Sequence, residues 1–234
     1  MEPMPEDWNR AVAVVAHPDD LEYGAASAVA RWTAQGKHVS YLLATRGEAG
    51  IAGMAPDVVG PLREDEERRS AALVGVSEVH FLDHADGLVE YGLRLRRDLA
   101  AVLRQQRPDI VITMNFDLTW GESEGVNHAD HRATGLAVLD ACRDASNSWL
   151  FPDAGAAWNG IKAIYVAASG DPTHFVDTTA TIGAGIASLR EHKAYLDGLG
   201  RDFNVDEFLR NIAGYLGMAA GCEYAVGFKR YSGG

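Results

Sequence analysis

The stretch AVAVVAHPDDLEYGA, residues 11–25, decides the fold that we expect for this chain. Its first six residues are continuously apolar and rich in valine, which is typical of a strand buried on both faces of a parallel sheet. The run ends at His17 and Pro18, because proline cannot donate a ladder hydrogen bond. A helical pattern follows from Glu22 to Gln35. A strand followed directly by a helix indicates one unit of an α/β fold.

The same alternation continues along the rest of the chain. Four further apolar runs predict strands: 38–45, 78–82, 109–114 and 161–167. Five further helical patterns are present: 63–74, 92–106, 128–143, 183–196 and 206–218. Strands that alternate with helices form parallel sheets with right-handed crossovers. We therefore expect an open, Rossmann-like three-layer α/β fold with a mostly parallel central sheet, built as a single domain over residues 1–234.

The composition restricts the classes of partner. The 234 residues carry 33 acidic and 21 basic side chains, a net charge of −12. This balance argues against nucleic acid and anionic membranes as partners, because both attract clustered lysine and arginine. The acidic N-terminus has no apolar core, so no signal peptide is predicted, and no apolar run approaches the roughly 20 residues that span a bilayer. Two cysteines without a CxxC pattern fit a reducing compartment, and we expect a cytoplasmic protein.

A first cluster of chemically active residues follows the first strand. Asp19, Asp20 and Glu22 would repel one another unless something positive lies among them, and His17 stands directly before them. A divalent cation meets this need, and histidine with aspartate is a ligand set that suits zinc or iron. The alternative is a solvated acidic turn in which Asp20 caps the following helix.

A second cluster lies in NHADHR, residues 127–132. His128 and His131 are three positions apart at the start of a predicted helix and share one face, and Asp130 between them could accept from a histidine N–H. The alternative is Asn127 or Asp130 as a helix N-cap with two exposed histidines. Because the first and fourth predicted strands can be neighbours where the strand order reverses, the two clusters can face one crevice.

Two long loops, 46–62 and 115–127, follow strands at the same edge of the sheet, and connections of this length are more often functional than accidental. Trp120 in the second loop is a candidate for stacking on a sugar, with a packed loop anchor as the alternative.

Three motifs resemble the PIG-L/LmbE-like family of zinc-dependent N-deacetylases: AHPDDLE at 16–22, TRGEAG at 45–50 and HADH at 128–131. Three further segments are similar to it: 63–76, Asp86-Gly87 and CEYAVGF at 222–228. One position departs from the family, whose members often carry Ser-Gln after a late histidine. Here that histidine is followed by Lys193, Ala194 and Tyr195. The resemblance implies a Rossmann-like fold, in agreement with the pattern of strands and helices.

The resemblance also implies roles for individual residues. It implies three zinc ligands, with Fe2+ as the alternative ion: His17, Asp20 and His131. It further implies that Asp19 is the general base, that His128 stabilises the tetrahedral oxyanion, and that Asp130 orients His128. The reaction implied is removal of an N-acetyl group from a small molecule that contains an amino sugar, such as a GlcNAc conjugate.

Three residues are candidates for contact with the substrate: Arg63, Arg46 and Asp86. Arg63 matches a family arginine at the substrate pocket, and it opens a predicted helix where the dipole disfavours a cation. It could donate to sugar hydroxyls, or it could pair with Glu66 or Glu67. For Asp86 a turn with the following glycine is the alternative. Four of the other histidines are predicted to be structural or exposed: His80, His84, His174 and His192.

Other functions compete with this interpretation. An amidase of thiol conjugates could use the same site, and a non-haem iron oxygenase uses the same set of two histidines and one carboxylate, although typically on a β-barrel. A non-catalytic carbohydrate-binding protein that keeps the metal is a third alternative. A nicotinamide-dependent oxidoreductase is excluded, because the turn after the first strand is acidic and lacks the Gly-x-Gly-x-x-Gly pattern.

Overall fold

Eight strands form one sheet in the computed structural model of the chain, which describes residues 1–120, 125–200 and 202–233. The strands are β1 (Glu2–Pro3), β2 (Arg10–Val15), β3 (His38–Leu43), β4 (Glu78–Phe81), β5 (Ile110–Met114), β6 (Ala163–Ala167), β7 (His174–Asp177) and β8 (Ala225–Ser232). Their order is β1-β7-β8-β6-β5-β2-β3-β4. Only β8 pairs antiparallel, with β6 and β7, while the other pairs are parallel. The predicted mostly parallel sheet is confirmed.

Helices cover both faces of this sheet. They are α1 (Asp20–Gly24), α2 (Ala26–Ala34), α3 (Pro56–Leu73), α4 (Leu93–Gln106), α5 (Ala129–Ser146), α6 (Ile182–Leu189), α7 (Lys193–Gly198) and α8 (Val205–Ala220). Along β2, Ala13 and Val15 point into the core beneath α2, whereas Val12 and Val14 point into the core beneath α4 and α5. This burial on both faces explains why the strand is continuously apolar and confirms the three-layer prediction.

Three strands were missed by the sequence analysis. β1 and β7 are short, and β8 alternates buried with partly exposed residues, so none of them forms the continuous apolar run that marks a central parallel strand. The antiparallel strand β8 inserts between β6 and β7, which brings the C-terminal part of the chain into the middle of the sheet.

The helix predictions need three corrections. The helix predicted from Glu22 to Gln35 is two helices that meet at Ala25. The helix predicted to start at Arg63 begins at Pro56, because proline is tolerated in the first turn, and so the loop predicted at 46–62 is shorter than expected. The helix predicted over 183–196 is likewise two helices, α6 and α7.

The strand order places the two sequence clusters together. β2 lies between β3 and β5. The chain runs from β2 to β3 and β4 on one side of it, and β5 then lies on the other side, so the strand order reverses at β2. The predicted contact between the first and fourth of the expected strands is therefore confirmed. The carboxyl ends of β2 and β5 form the edge at which open α/β sheets bind ligands.

Among the described residues, no helix has the length and apolar character required to cross a membrane.

A buried arginine of α4 binds the C-terminal end of α5 and the loop that follows it. Arg104 of α4 is only 4% exposed. Its guanidinium donates to six backbone carbonyls beyond and within the end of α5: those of residues 144, 145, 147, 150, 151 and 155. These contacts satisfy carbonyls that the end of a helix otherwise leaves without partners.

We expect Arg104→Met to lower the free energy of unfolding by about 3 kcal/mol, because the apolar substitute fills the space but leaves buried carbonyls unpaired. Chemical denaturation measures this change. Arg94→Met on the same helix is the control, because the Arg94 side chain is 73% exposed and should cost no more than about 0.5 kcal/mol. Equal losses in both variants would contradict this account of Arg104.

Candidate active site

The carboxylate of Asp20 shapes the end of β2. Its Oδ2 atom accepts from the backbone N–H groups of Ala16 at 3.0 Å and His17 at 2.9 Å, which fixes the loop directly after the strand. Its Oδ1 atom lies 3.0 Å from Nε2 of His131. Asp20 is the first residue of α1 and does not cap it, so the alternative of an acidic capping turn is not what the structure has.

Three potential ligand atoms converge where the two clusters meet. His17 Nδ1 lies 3.1 Å from His131 Nε2, and Asp20 completes the group from β2's side. All three side chains are buried. Separations of about 3 Å between donor atoms are what two ligands show when they share one ion at about 2.0–2.2 Å.

The outer nitrogen of each histidine faces an oxygen acceptor. His17 Nε2 lies 3.0 Å from an Asp86 carboxylate oxygen and 3.1 Å from one of Asp130. His131 Nδ1 lies 3.0 Å from Oδ1 of Asn127. These partners assign the protons to the outer nitrogens, so the inner nitrogens present lone pairs to each other and to Asp20. Two lone pairs 3.1 Å apart repel each other unless a cation lies between them; a bound metal ion meets this need, and a proton on His17 meets it otherwise, so the three residues fit a metal ion.

The carboxylates around this point favour a positive charge there. Burial opposes the charged form of His17, but hydrogen bonds with Asp130, Asp20 and Asp86 raise its pKa well above the usual value. Burial would also raise the pKa of Asp20, yet His131 and His17 lower it well below its usual value. The side chains thus create a strongly negative pocket that stabilises positive charge.

Asp130 differs from the expectation. The resemblance implied that it orients His128, but its carboxylate contacts His17 Nε2 and accepts from the backbone N–H groups of Gly87 at 2.7 Å and Val89 at 3.1 Å. The start of α5 directs the Asp130 side chain inward, whereas His128 precedes the helix and is exposed. Asp130 therefore holds His17 and the 87–89 loop.

His128 lies over the converging ligand atoms. Its ring stacks on His131 with centroids 4.8 Å apart and an interplanar angle of 12°. Burial lowers its pKa, and the charges of His131 and His17 lower it further, so the neutral form is favoured. Trp120 packs edge-on against His131 at 5.3 Å, which agrees with the anchor alternative for this tryptophan. Four residues of the predicted loop 115–127, numbers 121–124, lie outside the described residues.

Asp19 lies next to the ligands and is almost completely buried. Burial raises the pKa of its carboxyl to about 6, although Arg63 lowers it and Asp20 raises it again. Arg63 NH2 is 3.2 Å from Asp19 Oδ2. A carboxylate with this pKa can take a proton near neutral pH more readily than an exposed aspartate.

The structure differs from one of the two sequence alternatives for Arg63. Arg63 is 2% exposed and pairs with neither Glu66 nor Glu67. Its guanidinium donates to the carbonyls of Pro18 at 2.6 Å and Gly47 at 3.0 Å and lies over the Tyr195 ring at 4.5 Å. A Cβ atom at position 47 would collide with this guanidinium, which explains the glycine. Arg63 therefore holds the loops around Asp19, and its contact with a substrate stays a prediction.

The other two candidates for substrate contact are also engaged within the protein. Arg46 pairs with Glu64 and with Asp83 and donates to the carbonyl of Leu82 at 3.1 Å. Asp86 contacts His17 and accepts from the backbone N–H of Ala49 at 2.8 Å. Arg46 thus holds the loop after β3, and Asp86 contacts a histidine of the candidate metal site; their contact with a substrate stays a prediction.

Three residues at the site escaped the sequence analysis as functional candidates: Asn127, Glu67 and Tyr195. Asn127 was considered only as an N-cap, yet its position four residues before His131 is the spacing that lets its amide oxygen reach the imidazole. Glu67 accepts from the backbone N–H of Asp19 at 3.2 Å. No local pattern signals this contact, because the two residues are 48 positions apart.

With this geometry established, comparison with known proteins is informative. The sequence model of one family, PIG-L: GlcNAc-PI de-N-acetylase, matches residues 12–142. The chain is 29% identical over 230 residues to diacetylchitobiose deacetylase of Thermococcus kodakarensis, covering 95% of this chain and 83% of the relative. It is 26% identical to the 1D-myo-inositol 2-acetamido-2-deoxy-alpha-D-glucopyranoside deacetylase of Streptomyces scabiei, covering 70% of this chain and 57% of that one. The chain thus spans little more than half of this second relative.

Solved structures agree with the fold. The N,N'-diacetylchitobiose deacetylase of Pyrococcus horikoshii superposes with a TM-score of 0.87 at 25% identity, covering 97% of this chain and 85% of that one. A 4-carboxy-2-hydroxymuconate hydratase, GalB of Pseudomonas putida, superposes with a TM-score of 0.76 at 19% identity, covering 95% of each chain. The second likeness shows the fold alone, and function has to be argued from the site.

We expect the double variant His17→Ala/His131→Ala to lose the bound metal, because only one of the three converging ligands remains. Elemental mass spectrometry of gently purified protein measures the metal content, with about one equivalent per chain expected in the wild type. His80→Ala is the control, because the His80 side chain is 44% exposed and lies on β4 away from the site. Absence of metal from the wild type even after reconstitution would contradict the metal site.

We also expect Asn127→Ala to keep the fold but to weaken metal binding by about 10–100-fold, because the partner that fixes the orientation of His131 is lost. Competition against a chelator measures the affinity. Val126→Ala beside it is the control, since this side chain is 69% exposed. An unchanged affinity in Asn127→Ala would remove Asn127 from the site.

Proposed function

Because the chain belongs to the PIG-L family of GlcNAc-PI de-N-acetylases, we propose that it hydrolyses the N-acetyl group of an amino-sugar substrate with a zinc ion held by His17, Asp20 and His131. The chain is an N-deacetylase, as its relatives are. The observation that carries the zinc proposal is the convergence of two imidazole nitrogens and one carboxylate oxygen beside the buried carboxyl of Asp19.

The donor set favours zinc. Two histidines and one carboxylate are a ligand set of catalytic zinc sites, which keep a further position open for water or substrate. The same set binds Fe2+ in oxygenases, and we keep Fe2+ as the alternative ion. The open, mostly parallel sheet differs from the β-barrel typical of those oxygenases, so the structure favours hydrolysis. A bound zinc ion would lower the pKa of water and polarise a carbonyl oxygen.

The chain's own residues supply the proton transfers. Asp19 takes a proton from the attacking water, because burial has made its carboxylate more basic, and returns the proton to the departing amine. Arg63 keeps this carboxylate in place by an ion pair at 3.2 Å and by its hydrogen bond to the Pro18 carbonyl.

His128 supplies the second contribution. As a neutral imidazole stacked on His131, it can donate an N–H to the oxygen that becomes negative during the reaction. Its exposed position lets it reach a substrate, which the buried ligands cannot do. Asp130, Asp86 and Asn127 hold the two ligand histidines in the tautomers that the site requires.

The relatives suggest the substrate class. One acts on diacetylchitobiose and covers nearly the whole chain, and another acts on an inositol-linked acetamido glucoside and covers a smaller part. We propose an N-acetylglucosamine conjugate as the substrate, with small disaccharides tested first. N-acylated thiol conjugates belong in the same screen, because an amidase could use the same residues.

We expect Asp19→Asn to retain zinc but to lose about 10²–10⁴-fold in kcat, because the amide cannot take the proton from water. Acetate released from N-acetylated disaccharides, inositol glucosides and thiol conjugates, together with zinc content, measures both effects. Asp171→Asn is the matched control, since that side chain is 69% exposed and pairs with Lys229. Full turnover in Asp19→Asn would remove Asp19 from the mechanism, and no acetate from any substrate with the zinc-loaded wild type would contradict the proposed function.

A further inference from the structure

A single peptide unit before the candidate base is held at both of its polar ends. The carbonyl of Pro18 accepts from Arg63 at 2.6 Å, and the N–H of Asp19 donates to Oε2 of Glu67 at 3.2 Å. These are the two hydrogen-bonding groups of the peptide that joins Pro18 to Asp19. Arg63 and Glu67 are four positions apart on α3, so they project from the same face of the helix.

The orientation of this peptide determines the φ angle of Asp19, which lies in an unfavourable region. Asp19 has φ +88° and ψ −23°, in the left-handed region. A non-glycine residue in this region costs about 1–2 kcal/mol, although aspartate tolerates it better than most residues. Such a conformation persists only where surrounding contacts hold it, and the two contacts from α3 fix the orientation of the peptide on which φ of Asp19 depends.

The acceptor in this pair is itself part of a completely buried cluster. His192, which directly precedes α7, places Nε2 3.7 Å from a carboxylate oxygen of Glu67 and 3.7 Å from one of Glu22. All three side chains are 0–1% exposed. Burial of a carboxylate costs free energy unless a positive partner compensates its charge. Glu22 of α1 and Glu67 of α3 therefore need such a partner.

His192 has the charge that this role requires. Burial would lower its pKa, but the carboxylates of Glu22 and Glu67 raise it to about 9. Asp19 faces the same group, and Tyr41 lies near both glutamates. Ser70 completes the cluster by donating to Glu22 at 2.7 Å. Burial and Glu22 raise the pKa of Glu67 well above its usual value, whereas the positive charge of His192 at 3.7 Å and the N–H of Asp19 lower it, so His192 compensates the negative charge buried here.

We infer that Glu67, backed by His192, is a positioning residue that sets the backbone conformation of Asp19 and thereby aims its carboxylate at the reacting water. This inference rests on the proposed role of Asp19 as the base. It explains why a cluster of glutamates and a histidine, with no access to solvent, is buried directly behind the site. It also assigns to α3 one joint function, in which Arg63 holds the carbonyl end of the peptide and Glu67 holds its N–H end.

The acceptor oxygen of Glu67, and not its volume or charge, is the feature that this role needs. Gln keeps an acceptor oxygen at the same distance along the side chain, whereas Ala and Met do not. Glu66 provides a matched control: it is adjacent, similarly buried at 2% exposure, and accepts from the backbone N–H of Ala194 at 2.7 Å, whereas Glu67 accepts from that of Asp19. A substitution of Glu66 therefore tests the loss of a buried carboxylate without loss of the contact to Asp19.

The experiment compares zinc-loaded Glu67→Ala, Glu67→Gln and Glu66→Ala with the wild type. For Glu67→Ala we expect a fall in kcat on the order of 10²-fold with KM and zinc content nearly unchanged, because the base is misplaced while the ligands stay. Glu67→Gln should recover most of this loss, and Glu66→Ala should change kcat little. If Glu67→Ala does not fold, Glu67→Met, which has a similar volume but no acceptor oxygen at that position, replaces it.

Two further measurements make the result decisive. In the double variant Glu67→Ala/Asp19→Asn, kcat should be no lower than in Asp19→Asn alone, because Glu67 acts through Asp19. Crystal structures of the wild type and Glu67→Ala should show φ of Asp19 leaving the left-handed region in the variant only. The inference is overturned by full kcat in Glu67→Ala, by equal losses in Glu67→Gln or Glu66→Ala, by additive losses in the double variant, or by an unchanged φ.

The structural measurement separates this inference from the proposed function. If the wild type releases no acetate from any substrate, the proposed function fails, and the φ of Asp19 in the two crystal structures still decides whether Glu67 holds the peptide. If acetate is released but φ and kcat do not respond to Glu67, the inference alone fails.

Discussion

The hydrogen bonds from one carboxylate oxygen of Asp20 to the amides of Ala16 and His17 are the constraint on which the site depends. They bend the chain where β2 ends and turn His17 back toward α5. The other oxygen of the same carboxylate remains available to a cation beside His131. One short side chain therefore fixes the backbone and presents a candidate ligand, so the geometry of the proposed metal site is set by the end of a strand in the centre of the sheet.

Residues behind the two histidines hold their rings in place. Asp86, Asp130 and Asn127 contact the outer nitrogens of the two histidines that we propose as ligands, and they come from two different segments of the chain. Burial behind them raises the pKa of Asp19, whereas the ligand Asp20 next to it has a lowered pKa. Two adjacent aspartates thus have opposite environments, which is how neighbouring carboxylates acquire different roles.

The fold class and the convergence of the two clusters could be predicted from the sequence, because continuous apolar runs mark parallel strands and their carboxyl ends meet at one edge. The partners of Arg46, Arg63, Asp86 and Asp130 could not, since each depends on a contact with a distant segment and no local period encodes it. The early start of α3 was hidden by its two prolines. β8 was not predicted because its residues alternate between buried and partly exposed, and such a pattern lacks the continuous apolar run that marks a central strand.

The place of β8 in the sheet has a consequence for how the protein is made. Strands β2 to β6 form a continuous set of pairs among themselves, so the part of the sheet that carries the site can assemble before β7 and β8 are translated. β7 and β1 reach this sheet only through β8, whose residues 225–232 are translated after all the other strands. The nascent chain therefore carries an unpaired edge on β6 until this segment emerges, and that edge is the part most open to premature association with other chains.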